Sequence, residues 1–419
     1  MRADGEIPML LSPDFFDNPY PAYAALRSAG PLHFSPEFFG GAWLLTQHQD
    51  VALALRDPRL SARRTGGWIN HTDDQAAQAL APFQQVFARA LLFLDSPDHN
   101  RLRQAMMPAF RPAALNALRT CIAEEAASLL DAIDIRQPFD AMAALARPLP
   151  ARSIARWLGV PSHSHGDFAR WSDDIAAFIG QPQPGLAVGQ RAQRGTLAMA
   201  AMFRRLLAQR GSAALDESGH SDKAHADDAL GVLLQAQAGG AVESPEELVA
   251  QCVMLLFAGH ETTRNLLGNG LHAVLSQPGA WQHLRQQPDA LPLALRELLR
   301  FDSPVQYTGR RVAVPHILHG QLLQRGDLVI ALIGAANRDP AVYTAPDMLQ
   351  LDRREAAHLS FGTGPHVCIG AALTYLEAEV AFAAMLQRWP HAALAAAPVR
   401  APNALYRGFA SLPVAVSAG

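Results

Sequence analysis

The chain has little cysteine, little excess charge and no long hydrophobic run, and each shortage excludes a class of protein. Its 419 residues include three scattered cysteines, Cys121, Cys252 and Cys368. An odd, scattered set excludes a disulfide framework and is typical of a reducing cytoplasm. The 35 basic and 38 acidic residues leave a net charge of −3. Composition therefore indicates neither a nucleic-acid partner nor an anionic membrane surface.

The sequence also lacks membrane and export signals. No stretch of about 20 apolar residues occurs, and residues 1–11 lack the apolar core of a signal peptide. We therefore expect a soluble cytoplasmic protein without a membrane anchor. An apolar fraction of 49% can fill a large interior. Because no segment has the composition of a flexible linker between two cores, we expect a single domain over residues 1–419.

One segment, residues 361–370, combines backbone-shaping residues with a thiol: Phe-Gly-Thr-Gly-Pro-His-Val-Cys-Ile-Gly. Glycine and proline predict a tight, non-helical path, and a helical pattern with Leu373, Leu376 and Val380 on one face follows it. Cys368 would then lie at a helix N-terminus, where unpaired N–H groups favour an anion. We expect its pKa to fall below the usual value of about 8.5, so that the thiolate forms readily. A thiolate of this kind can serve as the axial ligand of a haem iron.

The pattern Phe-x-x-Gly-x-x-x-Cys-x-Gly resembles the haem-binding loop of the cytochrome P450 family. For Cys368 alone the alternative is a buried, inert thiol, which the four residue types at set spacing disfavour. The resemblance implies a mainly α fold, a P450-like helical prism with a minor β-rich lobe at approximately residues 1–60 and 305–335. It also implies one enclosed haem b, with Cys368 as the iron ligand and Phe361 beside the cofactor.

A second segment resembles the family's helix that contacts the haem propionates. Ser96 and Pro97 predict a helix cap and first helical position. His99 and Arg103 follow, four residues apart and hence on one helix face. The alternative is a solvated charged face, since exposed charges contribute little. We favour the binding role, because two carboxylates on a buried ring need cations and arginine donates in a fork.

Two further residues are assigned to the propionates through the same resemblance. After residue 306 the apolar period becomes two, which predicts strands. In the family an arginine of this region reaches a propionate, and Arg310 is favoured over its neighbour Arg311. His366, two residues before the cysteine, matches a further propionate contact.

A long buried helix is predicted to begin at Ser244 and Pro245, a capping box with proline at the first helical position. Small residues in its middle, Ala258 and Gly259, would let a flat ligand approach the backbone. Glu261 and Thr262 resemble the family's oxygen-activating pair.

The resemblance assigns Thr262 to a hydrogen bond with bound dioxygen and Glu261 to proton relay through water. The alternative for this pair is a helix kink without chemistry, because threonine can bond to the carbonyl four residues earlier.

The pair Glu297 and Arg300 resembles the structural ion pair of the family. Spaced three apart on a helix, it would also suit an ordinary surface pair. Met348 stands where the family often places an arginine that joins this pair. We expect Arg353 to take that place.

The resemblance implies a monooxygenase that activates O2 and hydroxylates or epoxidises a small molecule. Electrons would come from NAD(P)H through a separate ferredoxin and ferredoxin reductase, with docking expected near Arg101 and Arg111. We expect a monomer. Two alternatives stay open: a peroxide-driven haem-thiolate peroxygenase, and a non-catalytic haem-binding sensor or carrier.

The expected substrate is neutral and hydrophobic, such as a terpenoid or polyketide-like biosynthetic intermediate. Its pocket is predicted from mainly apolar residues: Trp68, Phe93, Ile179, Met254, Leu255, Ala258, Val305 and Phe409. Residues 61–90 have poor periodicity and are expected to form an irregular functional segment. Residues 216–227 are polar and are expected to form an exposed loop rather than a metal site.

Overall fold

The structure is a computed structural model that describes residues 10–64, 74–213 and 228–417. Within them the helices are α1 (Pro13–Asp17), α2 (Tyr20–Ala29), α3 (His48–Ala54), α4 (Asp74–Ala79), α5 (Ala81–Phe87), α6 (Asp98–Met106), α7 (Pro112–Asp131), α8 (Pro148–Trp157), α9 (His165–Ile179), α10 (Leu186–Ala213), α11 (Ala229–Ala238), α12 (Pro245–Ser276), α13 (Ala280–Gln286), α14 (Leu291–Phe301), α15 (Ile333–Ala336) and α16 (Ala371–Arg388).

The strands are short. They are β1 (Leu32–Ser35), β2 (Ala42–Leu45), β3 (Leu60–Ser61), β4 (Phe139–Asp140), β5 (Thr308–Val312), β6 (His316–Leu318), β7 (Gln321–Leu323), β8 (Leu328–Ala331), β9 (His391–Leu394), β10 (Val399–Arg400), β11 (Phe409–Ser411) and β12 (Pro413–Ser417). Helices therefore dominate, and the predicted mainly α fold with a minor β component is confirmed.

The largest sheet has five strands in the order β1-β2-β8-β5-β3. Strands β1 and β2 pair antiparallel, β8 runs parallel to β2, and β5 runs antiparallel to β8 with Arg310 opposite Val329. The sheet thus joins the two chain regions expected to form the β lobe. Two small sheets, β4-β12-β9 and β10-β11, lie outside those regions.

Helix α12 forms the centre of the helical part, and its sequence explains its length. The Ser244 side chain accepts a hydrogen bond from Glu247 N at 3.1 Å, which caps the first turn, and Pro245 takes the first helical position. The helix then continues for 32 residues, most of them buried. Its contacts with α8, α9, α10, α14 and α16 place it across the core.

Two local predictions differ from the structure. The segment predicted to be irregular contains α4 and α5, because Phe83 and Phe87 stack at 4.4 Å and anchor α5 in the core. Helix α6 begins at Asp98, so Pro97 is the cap residue. The Ser96 hydroxyl accepts from Asn100 Nδ2 at 3.2 Å instead of capping the backbone. Trp68 and residues 216–227 lie outside the described residues.

A buried ion-pair network fixes the segment that leads to the cysteine loop. The Arg300 guanidinium donates two hydrogen bonds to Glu297, at 2.7 and 2.8 Å, and both side chains are almost fully buried. Arg353 Nε lies 3.1 Å from Glu297 Oε2, so it joins the pair as expected from the sequence. Arg300 also donates to the carbonyls of Asn337 and Pro346, each at 2.8 Å.

Replacing Glu297 with glutamine should destabilise the protein by about 3–5 kcal/mol, because two buried guanidinium groups lose their carboxylate partner. Denaturant unfolding measures the effect. The matched control is Asp134→Asn, which breaks the exposed Arg136–Asp134 pair and should leave the free energy of unfolding almost unchanged, because solvent screens this pair. Equal losses for the two variants would contradict the structural role of Glu297.

A second buried carboxyl lies where α16 packs on α8 and α12. Glu377 is 1% exposed, and Oε1 has no hydrogen-bond partner among the described residues. Burial raises the pKa of Glu377 to about 8, although the hydroxyls of Thr263 and Ser153 oppose the shift. The folded protein therefore keeps this carboxyl protonated at neutral pH.

This raised pKa predicts a pH-dependent stability. Because the unfolded carboxyl releases its proton near pH 4.5 and the folded one near pH 8, stability falls between these values. Glu377→Gln removes the titration, so its stability relative to wild type should rise by up to about 5 kcal/mol across this window. Denaturant unfolding at several pH values tests this, with the exposed Glu379→Gln as control. Parallel stability curves for wild type and Glu377→Gln would refute the prediction.

Candidate functional site

The loop before α16 is a closed turn that depends on two glycines. Gly362 and Gly364 have φ values of +67° and +76°, which side-chain-bearing residues rarely adopt. A Cβ on Gly364 would also lie 2.8 Å from Arg56 Cγ. Cys368 N donates to Phe361 O at 2.8 Å and closes the loop. Helix α16 begins three residues after Cys368, at Ala371, so the sulfur lies just before a helix N-terminus as predicted.

The pKa of the Cys368 thiol differs from the prediction. Cys368 has a large exposed surface, but this surface faces an internal cavity rather than bulk solvent. Burial raises the pKa of the thiol, and this effect outweighs the Gly370 and Ala371 N–H groups and Arg103. The expected lowered pKa is therefore wrong for the free thiol, because the loss of hydration destabilises the thiolate more than the N–H groups at the helix end stabilise it. A bound metal cation would reverse this balance.

Helix α12 lines the same cavity with Ala258 and Thr262. The Thr262 hydroxyl donates to Ala258 O at 2.9 Å, the bond to the fourth preceding carbonyl that the sequence suggested. Gly259 does not serve ligand approach, since a Cβ there would lie 2.7 Å from Ile154 Cδ1 of α8. One of the two predicted small residues therefore faces the cavity, and the other allows close helix packing.

Glu261 lies beside the cavity rather than on its wall. Its Oε1 accepts from Arg264 Nη2 at 2.6 Å, and Arg264 Nη1 donates to Asp173 of α9 at 2.5 Å. Burial raises the pKa of Glu261 although Arg264 opposes the shift, and Oε2 has no partner among the described residues. Because half of the Asp173 side chain is exposed, the chain Asp173–Arg264–Glu261 leads from the surface to the residue before Thr262.

The structure brings together the four residues assigned to the propionates. His99, Arg103, Arg310 and His366 all line the cavity that contains Cys368. The imidazoles of His99 and His366 lie 4.0 Å apart, and Arg103 Nη1 donates to Val367 O at 2.8 Å. Burial and the neighbouring cations lower the pKa of His366 to about 3.

The two neighbouring arginines, Arg310 and Arg311, have different surroundings in the structure. Arg310 is buried and lines the cavity, and burial lowers its pKa to about 10. Arg311 points elsewhere, because its Nη1 donates to Gly326 O at 2.7 Å.

A further arginine was missed from the sequence. Arg64 lines an adjoining cavity, where burial, helped by the charge of Arg310, lowers its pKa to about 9. It follows Arg63 in a segment without periodicity, so no pattern in the sequence distinguishes the two arginines. Only the fold shows that Arg63 is exposed while Arg64 turns inward.

These residues fit a flat group that carries two carboxylates. Within the described parts of the chain, neither Arg103 nor Arg310 forms an ion pair with a carboxylate, and His99 Nε2 is buried without a partner. A sulfur donor, unpaired cations and mainly apolar walls are what one haem with axial thiolate ligation requires. The apolar walls include Leu91, Leu92, Met254, Leu255, Phe361 and Ile369.

Most residues predicted to form the substrate pocket line one of the two cavities. Met254 and Leu255 line the first, Phe93 and Ile179 line the second, and Ala258 and Val305 line both.

Phe409 lines neither cavity. Arg400 packs over its ring at 3.7 Å, and the pocket prediction for this residue is wrong. The C-terminal loop instead contributes Leu405 and Tyr406 to the second cavity.

One predicted docking charge is already neutralised. Arg101 forms ion pairs with Glu247 at 2.7 Å and Glu243 at 3.2 Å, so it is not a free cation for a partner. Arg111 remains exposed. Across the described ranges, every helix is too short or too polar to cross a bilayer.

Comparison with known proteins identifies the family. The family model described as Cytochrome P450 matches residues 197–396. The chain is 32% identical to the polyketide biosynthesis cytochrome P450 PksS of Bacillus subtilis, over 96% of this chain and 97% of that protein. It is 34% identical to the cytochrome P450 monooxygenase PikC of Streptomyces venezuelae, over 96% and 92% of the two chains.

Solved structures agree with these matches. P450BioI, in complex with an acyl carrier protein that carries hexadec-9Z-enoic acid, has a TM-score of 0.87 at 30% identity over 96% of this chain and 100% of that one. CalO2 has a TM-score of 0.85 at 32% identity over 98% of both chains. Together with the cavity that contains the Cys368 thiol and the long central helix α12, these similarities show that the chain belongs to the cytochrome P450 family and is an oxidoreductase of the monooxygenase type.

Proposed function

We propose that this P450 monooxygenase uses Cys368 to bind haem b and inserts oxygen into a hydrophobic biosynthetic intermediate, with electrons from a separate ferredoxin. The observation that carries this proposal is one cavity lined by the Cys368 thiol, unpaired cations and the Ala258–Thr262 wall. When bound, the haem supplies the activation of O2 by electrons that originate from NAD(P)H. The protein supplies binding, orientation and protons.

His99, Arg103, Arg310 and His366 would hold the two propionates, since they are cationic or hydrogen-bonding groups that line the cavity. Ala258 and Phe361 would contact the ring system. Because apolar residues form most of the remaining wall, the site excludes water from the reacting centre.

Thr262 and Glu261 would handle protons. The Thr262 hydroxyl proton is directed to Ala258 O, which leaves the hydroxyl oxygen free to accept a hydrogen bond from the cavity. Burial raises the pKa of Glu261 and its Oε2 has no partner among the described residues, so it holds a proton to higher pH than an exposed carboxyl does and offers a site for proton exchange. Ion pairs from Arg264, which stays charged, to Glu261 and Asp173 hold the Glu261 side chain in position beside the cavity.

The substrate would be terpenoid or polyketide-like. The apolar cavity walls support a hydrophobic molecule. PksS is named for polyketide biosynthesis, and another similar structure is an epothilone D-bound P450 with a TM-score of 0.86 at 28% identity. We place the reaction in the cytoplasm, carried out by a monomer.

Cys368→Ala should abolish thiolate ligation, because Cys368 carries the one thiol that lines this cavity among the described residues. The reduced carbon monoxide difference spectrum measures it, and Cys252→Ala, at a buried core thiol, serves as the control. Haem incorporation by wild type with the same spectrum after Cys368→Ala would refute the proposal.

Thr262→Ala should lower product formed per NAD(P)H consumed, because the cavity loses the hydroxyl that directs protons. A loss of roughly 10²-fold would match the lower range for a positioned proton-transfer group. Thr263→Ala, on the same helix but off both cavities, is the control. Unchanged coupling in Thr262→Ala, or equal turnover with hydrogen peroxide alone, would instead support the peroxygenase alternative.

Arg111→Glu should slow reduction by ferredoxin several-fold at low salt, because reversing an exposed charge weakens electrostatic steering. Met107, four residues before Arg111, and Val367, in the cysteine loop, are 42% and 38% exposed and offer apolar surface to a partner. Stopped-flow reduction measures the rate, and substrate affinity should stay constant. Arg136→Glu, on an exposed loop, is the control, and equal rates in the two variants would exclude this docking face.

A further inference from the structure

The second cavity continues the first beyond Ala258 and Thr262. The two share five lining residues: Leu92, Ala258, Thr262, Val305 and Thr308. Its other walls come from α9, the β1–β2 connection, strand β8 and the C-terminal loop, through Ile179, Phe39, Leu328, Ile330, Leu405 and Tyr406. Most of this surface is apolar, so a charged side chain in it requires an explanation.

Arg64 is that charged side chain, and the fold holds it in place. Its Nη1 donates to Ala62 O at 3.1 Å, and Nη2 lies 3.4 Å from Thr308 Oγ1. The guanidinium carbon lies 4.8 Å from the centre of the Phe93 ring. Strand β5 makes room for it, because a Cβ on Gly309 would lie 3.2 Å from Arg64 Cδ. Arg64 is therefore positioned before any ligand arrives.

The charge of Arg64 has no counterion in the described residues. Among the described residues no carboxylate lies within ion-pair distance of Arg64, and burial in the cavity lowers the pKa of its guanidinium to about 9. An unpaired buried charge is costly and is usually compensated by an anion. The Tyr307 hydroxyl in the same cavity is also buried without a hydrogen-bond partner among the described residues.

Tyr406 completes this polar group. Tyr406 lines the same cavity as Arg64 and Tyr307. Burial raises the pKa of its phenol, and the charge of Arg64 opposes this shift. Together they offer donors for an oxyanion inside an otherwise apolar space.

The propionates of a haem do not account for Arg64. Two carboxylates are matched by the guanidinium groups of Arg103 and Arg310, which line the first cavity with His99 and His366. Arg64 lines the second cavity and not the first. One positive charge therefore remains on the substrate side.

We propose that Arg64, Tyr307 and Tyr406 bind a carboxylate of the substrate, whose apolar part extends to Ala258 and Thr262. The substrate is then an amphipathic carboxylic acid rather than a neutral hydrophobic molecule. This inference rests on the proposed function, and it refines the substrate class of that site.

The test compares dodecanoic acid with its methyl ester as probes, using the haem-loaded protein at neutral pH. Binding is measured by the shift of the haem absorption band and independently by isothermal titration calorimetry. Wild type should bind the acid about 10-fold or more tightly than the ester, as one charge-assisted contact implies. Arg64→Gln should weaken acid binding by about 10- to 100-fold and leave ester binding within about twofold.

The adjacent arginine provides the matched control. Arg63 is exposed and pairs with Asp98, so Arg63→Gln should leave both affinities unchanged. Arg64→Lys should retain part of the preference for the acid, because it keeps the charge but loses the fork. If Arg64 variants fail to fold, Tyr307→Phe decides, with an expected loss of several-fold for the acid alone.

Several outcomes would overturn this inference. Equal wild-type affinity for acid and ester excludes the carboxylate subsite. Equal weakening of both probes in Arg64→Gln, together with loss of haem, would assign Arg64 to a propionate instead. Failure of the proposed function has a separate signature, since wild type would then take up no haem with a thiolate spectrum.

Discussion

Buried positive charge without a protein counterion is the constraint on which this structure depends. Arg64, Arg103 and Arg310 face two connected cavities, and none of them forms an ion pair with a carboxylate of the described chain, although the more distant Asp95 acts on Arg64 and Arg310. Arginine does not escape this cost by losing its proton at neutral pH. The fold is therefore most stable when anions occupy the cavities, so that cofactor and ligand binding add directly to folding stability.

The ion-pair network of Glu297, Arg300 and Arg353 stabilises the segment before the cysteine loop. The Arg300 side chain of α14 donates hydrogen bonds to three backbone carbonyls in residues 337–348. From there, Asn337 accepts from Leu359 N at 2.7 Å, two residues before the loop begins at Phe361. A continuous set of buried polar contacts thus fixes the backbone that presents Cys368.

Sequence reasoning recovered features that short-range chemistry determines. The capping of α12, the closed turn before Cys368 and the grouping of His99 with Arg103 follow from local residue types at fixed spacing. It failed where distant chain segments decide the outcome. The Cys368 pKa depends on desolvation by the whole cavity, Gly259 is small because Ile154 lies against it, and Arg101 is neutralised by Glu247.

Strand β5 serves both cavities at once. Thr308 lines both, Gly309 accommodates Arg64, and Arg310 faces the Cys368 side. A substitution that moves this strand would disturb cofactor seating and ligand choice together. Substitutions at Phe93 and Ile179, which line the second cavity but not the first, would therefore change substrate range with less effect on cofactor binding than substitutions in β5.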